Sequence, residues 1–192
     1  MGQLYVGKET EYNGILFRSK NEAKWAKFSD LVRLKYEYEP ITVYGINGQQ
    51  YKPDFYFPDY GIYAEVKSNT TGIQNADMSV KLTSVLVDPT TPVSKGLLLL
   101  GSFPYDVRVS GVRLKTKWLR GDGDGYIGCA DAYIEQRLLS RSAMIRLTED
   151  NYDQCFGIPP SASPDIFKEK DDFGGYFTIA INETNEYFAE DK

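Results

Sequence analysis

The sequence predicts a mixed fold of the α/β (α+β) class, ordered helix, three strands, helix, strand, with a C-terminal extension. Three observations predict it. The run "SKNEAKWAKFSDLVRL" repeats apolar residues at helical spacing behind a Ser-x-x-Glu start. Two aromatic-rich runs flank the turn Pro58-Asp59-Tyr60-Gly61. The run "KGLLLLGS" has the unbroken apolar character of a strand buried on both faces. At 192 residues the chain suits one domain, or one domain with an appended piece. We place the core at residues 1–105. Residues 106–192 form an extension packed on it and acidic at its end.

The first 18 residues read as an entry segment with short strand character. In the helix that follows, Ser19 and Glu22 fit a capping box. Trp25, Phe28 and Val32 form its core face, and Glu22 lines up with Trp25, Ala26 and Ser29 on the small and apolar side. Lys20, Lys24 and Lys27 fall on a different face, expected to be wet. "KYEYEP" and "QYKPDFYF" read as strands joined through the turn-rich "YGINGQQ", and "GIYAEVKS" as the third strand. "NADMSVKLTSVLVD" reads as a helix with Met78, Leu82 and Val85 on one face, and "KGLLLLGS" closes the core. Beyond Pro104, "VRVSGVRLKTKWLR" alternates like a strand or hairpin, and "GDGDGYIG" reads as a loop. "CADAYIEQRLLSRSAMIRL" reads as helical, "GIPPSASP" as a linker and "GGYFTIAI" as a last strand.

Composition excludes several chemistries. There is no histidine, which removes the Ser-His-Asp triad, the Cys-His pair and the imidazole ligand or base. Cys129 and Cys155 are too few for a structural zinc site or a disulfide framework. No apolar run approaches a membrane span, and the N-terminus lacks a signal-peptide pattern, so a cytoplasmic protein with no membrane partner is expected. The net charge of −5 is uneven. Residues 1–150 carry 19 Lys and Arg against 18 Asp and Glu, whereas residues 151–192 carry 3 against 9. The acidity therefore belongs to the C-terminal segment, which leaves room for basic stripes elsewhere.

The segment "PDFYFPDYGIYAEVK" holds the chemistry. Asp54 and Glu65 are placed symmetrically about Asp59 and Tyr60. A tight turn therefore sets them opposite each other, with side chains about 5 Å apart. Two carboxylates that close repel unless a divalent cation sits between them. Lys67 shares the face of Tyr63 and Glu65 by strand alternation, while Ile62, Ala64 and Val66 point the other way. Two hard oxygen ligands and an ammonium suit phosphodiester hydrolysis. A bound Mg²⁺ lowers the pKa of water and stabilises charge on phosphorus oxygens.

The segments "FRSKNEAKWAKF", "YEYEP" and "YKPDFYFPDYGIYAEVKS" together resemble the PD-(D/E)XK nuclease superfamily, on the side of its Holliday-junction-resolvase-like and RecB-like members of phages and bacteria. The resemblance covers about residues 12–103 and the order of elements. It implies a restriction-endonuclease-like core and an Mg²⁺-dependent nuclease, with Mn²⁺ as a substitute. DNA is the implied partner, and the products carry a 5′-phosphate and a 3′-hydroxyl. Carried over by position, Asp54 and Glu65 bind the metal, Lys67 assists the nucleophile, and Glu22 completes or orients the metal site. The resemblance further implies a phage or bacterial source and, for a phage protein, the host cytoplasm. Junction-cutting relatives work as dimers, which raises a homodimer as an option. The alternative function is a nuclease-fold binding protein that engages a replication or host-defence factor through its C-terminal extension rather than by cleavage.

Each candidate also has a plainer role. Asp54, Glu65 and Lys67 could form a solvated hairpin face, and Glu22 could serve the helix cap alone. Arg18 and Lys81 read first as ordinary surface cations and second as candidate contacts to the nucleic-acid backbone. Arg108, Arg113, Lys115, Lys117 and Arg120 form a stripe free of acidic residues beside Trp118. Arg113, Lys115 and Lys117 share one strand face, suited either to a phosphate backbone or to protecting an edge strand. "GDGDGYIG" starts like a calcium loop but places Tyr126 and Tyr133 where oxygen ligands belong.

Overall fold

A computed structural model describes residues 7–45, 48–67, 75–87, 96–103, 112–121, 127–136, 142–147, 153–154, 165–168 and 175–189. The expectations for Arg108, the 122–126 loop, Cys155 and the linker at 157–164 lie outside the described residues. Chain order runs β1 (Thr10–Tyr12), β2 (Ile15–Phe17), α1 (Lys20–Leu31), β3 (Glu37–Tyr38), β4 (Val43–Tyr44), β5 (Gln50–Tyr51), β6 (Phe55–Phe57), β7 (Ile62–Val66), α2 (Asn75–Val87) and β8 (Leu97–Leu100). It continues with β9 (Val112–Gly121), β10 (Ile127–Gln136), β11 (Ala143–Leu147), β12 (Asp153–Gln154), β13 (Asp165–Lys168) and α3 (Gly175–Tyr187). The fold is mixed, of the α+β kind.

The main sheet runs β11-β10-β9-β8-β7-β6-β3, with β12 paired to β10 and β13 to β9. β6 and β7 form an antiparallel hairpin in the register Phe55↔Ala64, Tyr56↔Tyr63 and Phe57↔Ile62. Its turn closes through the Tyr60 and Gly61 amides, both donating to the Phe57 carbonyl at 3.0 Å. Gly61 has φ of 61°, a left-handed conformation that glycine adopts without a Cβ clash. β7 and β8 run parallel, as a helical crossover through α2 requires. "QYKPDFYF" does not form one strand. Gln50–Tyr51 pair with β4 in a separate hairpin, and Phe55–Phe57 join the main sheet. Pro53 lies between them and has no amide to donate.

The sheet is covered on both faces, and alternation sorts its residues. Phe55, Phe57, Ile62, Ala64, Val66, Leu98 and Leu100 pack with Trp25, Ala26 and Phe28 of α1 and with Ala180 and Ile181 of α3. Tyr63, Leu97 and Leu99 pack with Leu82 and Val85 of α2 and with Val43 and Tyr51. Every residue of β7 and β8 is buried for this reason. α1 is tied to the end of β8. The Trp25 indole donates to the Gly101 carbonyl at 2.9 Å, and the Phe103 amide donates to Asn21 Oδ1 at 2.7 Å. Ser19 caps α1, accepting from the Glu22 amide at 3.2 Å. Ser19→Ala should therefore cost about 1 kcal/mol in urea denaturation. A loss of under a few tenths would show that other contacts hold this helix end.

Three expectations are corrected. The described residues of "CADAYIEQRLLSRSAMIRL" are not helical, because they supply most of β10 and all of β11, antiparallel in the register Ala132↔Leu147 to Gln136↔Ala143. The segment's Ala, Glu, Gln and Leu content favours a helix, but pairing with β9 overrides that weak preference. "GGYFTIAI" is not a strand, because it opens α3. The helical face appears only further on, as Ala180, Ile181, Thr184 and Phe188 are all buried. That helix also accounts for the third correction. Lys24 and Lys27 are not wet but buried, since α3 lies across α1. Lys24 Nζ donates to Asn185 Oδ1 at 2.7 Å, and Lys27 Nζ sits 4.4 Å from the Tyr187 ring centroid. Burial, with Lys20 nearby, holds Lys24 below the ordinary lysine range.

Candidate active site

The β6–β7 register places Asp54, one residue before β6, opposite Glu65. Both carboxylates are almost fully buried, each at 4% exposure, so a solvated hairpin face is excluded. Burial of two facing carboxylates demands compensation, and the surrounding residues supply it one carboxylate at a time.

Glu65 is gripped at both oxygens. Oε1 meets the ammonium groups of Lys67 and Lys81, each at 2.7 Å. Oε2 accepts from the Tyr51 hydroxyl at 2.7 Å. Lys67 comes from the same strand two residues on, and Lys81 from α2, which packs on that sheet face. Burial disfavours the ionised form of Glu65, yet Lys81 and Lys67 outweigh it and hold the carboxyl below its usual range. The same burial, with the Glu65 charge added, pushes the Tyr51 phenol well above its ordinary value. Tyr51 therefore stays protonated and able to donate.

Asp54 is held differently. Oδ2 accepts from the Val66 amide at 2.6 Å, across the hairpin. Oδ1 pairs with Arg18 Nη2, and Arg18 Nε also reaches Glu39 Oε1 at 2.6 Å. Glu39 in turn pairs with Lys52 at 3.1 Å. Burial, reinforced by the charges of Glu65 and Glu22, pushes Asp54 up to about 8 against the opposing pull of Val66 and Arg18. Half-burial works against the Arg18 charge, but Asp54, Tyr38, Glu39 and Glu22 together outweigh it and hold the guanidinium above its ordinary value.

Glu22 lies at the first turn of α1, buried as its helix face requires. Oε1 takes the Ser19 hydroxyl at 2.6 Å and Oε2 the Tyr38 hydroxyl at 2.7 Å. Tyr38 also receives the Arg18 amide at 3.0 Å, so Glu22, Tyr38, Arg18 and Asp54 form one connected set. The cap and the site draw on the same carboxylate.

The structure thus brings Asp54, Glu65, Lys67, Lys81, Arg18 and Glu22 into one neighbourhood. Arg113, Lys115 and Lys117 occupy alternate positions of β9, whose register sets Lys117 opposite both Leu99 and Asp131. Sequence reasoning missed Tyr51, Tyr38, Glu39 and Lys52. With 15 tyrosines in the chain, no local signal marks two as hydroxyl donors to buried carboxylates. Among the described residues, no three His, Cys, Asp or Glu groups are gathered as a cage for a metal ion. Two buried carboxylates with hard oxygens nevertheless suit Mg²⁺, which keeps several waters and takes only one or two carboxylates. Among the described residues, no helix is long and apolar enough to cross a membrane. Comparison with protein-family models, curated proteins and solved structures finds no match.

Proposed function

We propose that this chain is an Mg²⁺-dependent nuclease of the PD-(D/E)XK kind, with a restriction-endonuclease-like core, that hydrolyses phosphodiester bonds of DNA. The observation that carries the reading is the pair Asp54 and Glu65, buried opposite each other with Lys67 on Glu65 at 2.7 Å. Burying two facing carboxyl groups costs free energy that an inert hairpin has no reason to bear.

Asp54 and Glu65 would hold the cation, with Glu22 adding negative charge from α1. When bound, Mg²⁺ supplies a more acidic water and stabilises charge on the reacting phosphate. Tyr51 and Lys81 fix the orientation of Glu65, so its donor oxygens do not need to reorganise during the reaction. Lys67 is the lysine with access to substrate, since its side chain is 34% exposed against 17% for Lys81. Its ammonium orients the attacking water or holds a non-bridging phosphate oxygen. The bond from phosphorus to the 3′-oxygen breaks as the water oxygen bonds to phosphorus, the water gives up a proton to solvent, and the 3′-oxygen takes one from solvent to leave as a hydroxyl. Arg113, Lys115 and Lys117 extend the reading as contacts to the DNA backbone.

The test is incubation of labelled single-stranded, duplex and branched DNA, with RNA beside them, in Mg²⁺, Mn²⁺ or EDTA. Cleavage in either metal and none in EDTA is expected, and the preferred form names the substrate class. Cleavage that persists in EDTA, or none of any nucleic acid, would sink the proposal and favour the partner-binding alternative.

A further inference from the structure

Arg18 occupies an unusual position. Its guanidinium contacts the buried Asp54 through Nη2 while its side chain is 54% exposed. It spans from solvent to a carboxylate that solvent does not reach. The other Asp54 oxygen is committed to the Val66 amide at 2.6 Å, so Oδ1 is the oxygen left for a cation, and Arg18 lies on it. The same guanidinium already has a second anchor, Glu39, at 2.6 Å from Nε. Moving off Asp54 therefore does not strand the charge. It exchanges a bridging position for a one-sided one that Glu39 already provides.

We propose that Arg18 is a displaceable internal partner of Asp54, competing with the divalent cation for Oδ1 and swinging onto Glu39 when the metal enters. This deepens the metal-site reading of Asp54 and Glu65 and rests on it. Arg18 is then a positioning residue. It keeps the empty site folded and sets the metal concentration at which the site loads. Glu39 acts in the opposite sense, because it draws the guanidinium away from Asp54. Lys52 belongs to the same charge network, at 3.1 Å from Glu39, but no contact joins it to Asp54.

The test is Mn²⁺ binding by electron paramagnetic resonance titration, without substrate, on wild type, Arg18→Gln, Glu39→Gln, Lys52→Gln and Asp54→Asn. Arg18→Gln is expected to bind Mn²⁺ about tenfold more tightly, within the usual range of coupling between two ligands. Lys52→Gln loses the same charge and should stay within about twofold of wild type. Glu39→Gln should bind more weakly, and Asp54→Asn should lose the site. Equal tightening in Arg18→Gln and Lys52→Gln would reduce the effect to a general field and overturn the exchange. So would unchanged or weaker binding in Arg18→Gln, while loss of binding in Asp54→Asn would leave the metal site itself standing. If Arg18→Gln does not fold, Glu39→Gln decides, and unchanged or tighter binding there overturns the exchange. No Mn²⁺ binding by any of the proteins overturns both readings.

Discussion

Lys67→Ala is expected to lower Mg²⁺-dependent DNA cleavage by about two to three orders of magnitude, the usual cost of removing one group that acts on the reacting atoms. The loss should fall on kcat with KM little changed if Lys67, as proposed, serves the reacting phosphate rather than the length of the substrate. The backbone should stay in place. The Lys67 amide donates to the Leu100 carbonyl at 2.8 Å, continuing the β7–β8 ladder, and alanine keeps that bond. Glu65 keeps Lys81 at 2.7 Å and Tyr51 at 2.7 Å, so it is not left bare. Thermal melting and single-turnover cleavage together check this. A folded Lys67→Ala protein that cuts at the wild-type rate would remove Lys67 from the mechanism and pass its role to Lys81.

Asp54→Asn should change how the metal-free protein responds to pH. An unfolded aspartate ionises near pH 4, whereas burial beside Glu65 and Glu22 raises the folded value to about 8. Between those values the folded chain keeps a proton that the unfolded chain has released. Raising the pH therefore favours unfolding. The stabilising contribution is complete below about pH 4, declines up to about pH 8, and is gone above it, a change on the order of a few kcal/mol. Glu65 acts in the other direction. Its lowered value contributes stability above the ordinary glutamate range that is lost only as pH falls through it. Asparagine does not titrate and keeps an oxygen for the Val66 amide. Urea melts in EDTA at about pH 5 and about pH 9 should thus show a drop for wild type that is absent in Asp54→Asn. Parallel curves for the two proteins would mean that Asp54 is ionised in the folded state throughout this range.

Much of the site was legible because its spacing is local. Asp54 and Glu65 are joined by one four-residue turn, and strand alternation has a period of two. Their opposition follows from Pro58 to Gly61 and needs no distant contact. The capping of α1 by Ser19 and Glu22 is equally local. What surrounds the carboxylates is not. Lys81 reaches Glu65 from 16 residues away, and Arg18 reaches Asp54 from 36 away. Nothing in either local pattern separates them from an ordinary surface cation.

The sequence by itself determined the hairpin, the two helices that flank it in the chain, the buried leucine strand and the carboxylate pair. In each of these, periodicity and turn chemistry agree within a short window. The tertiary structure alone decided the fate of residues 127–136 and 143–147, where pairing of β10 with β9 and of β11 with β10 turned a helix-forming composition into strands. It alone decided that α3 would cover Lys24 and Lys27, since a helix face read from sequence carries no record of what packs on it. It also decided which cation answers which carboxylate. The physical reason is common to all three. Local preferences amount to a few tenths of a kcal/mol per residue, and the burial of a face or of a charge outweighs them once distant segments meet.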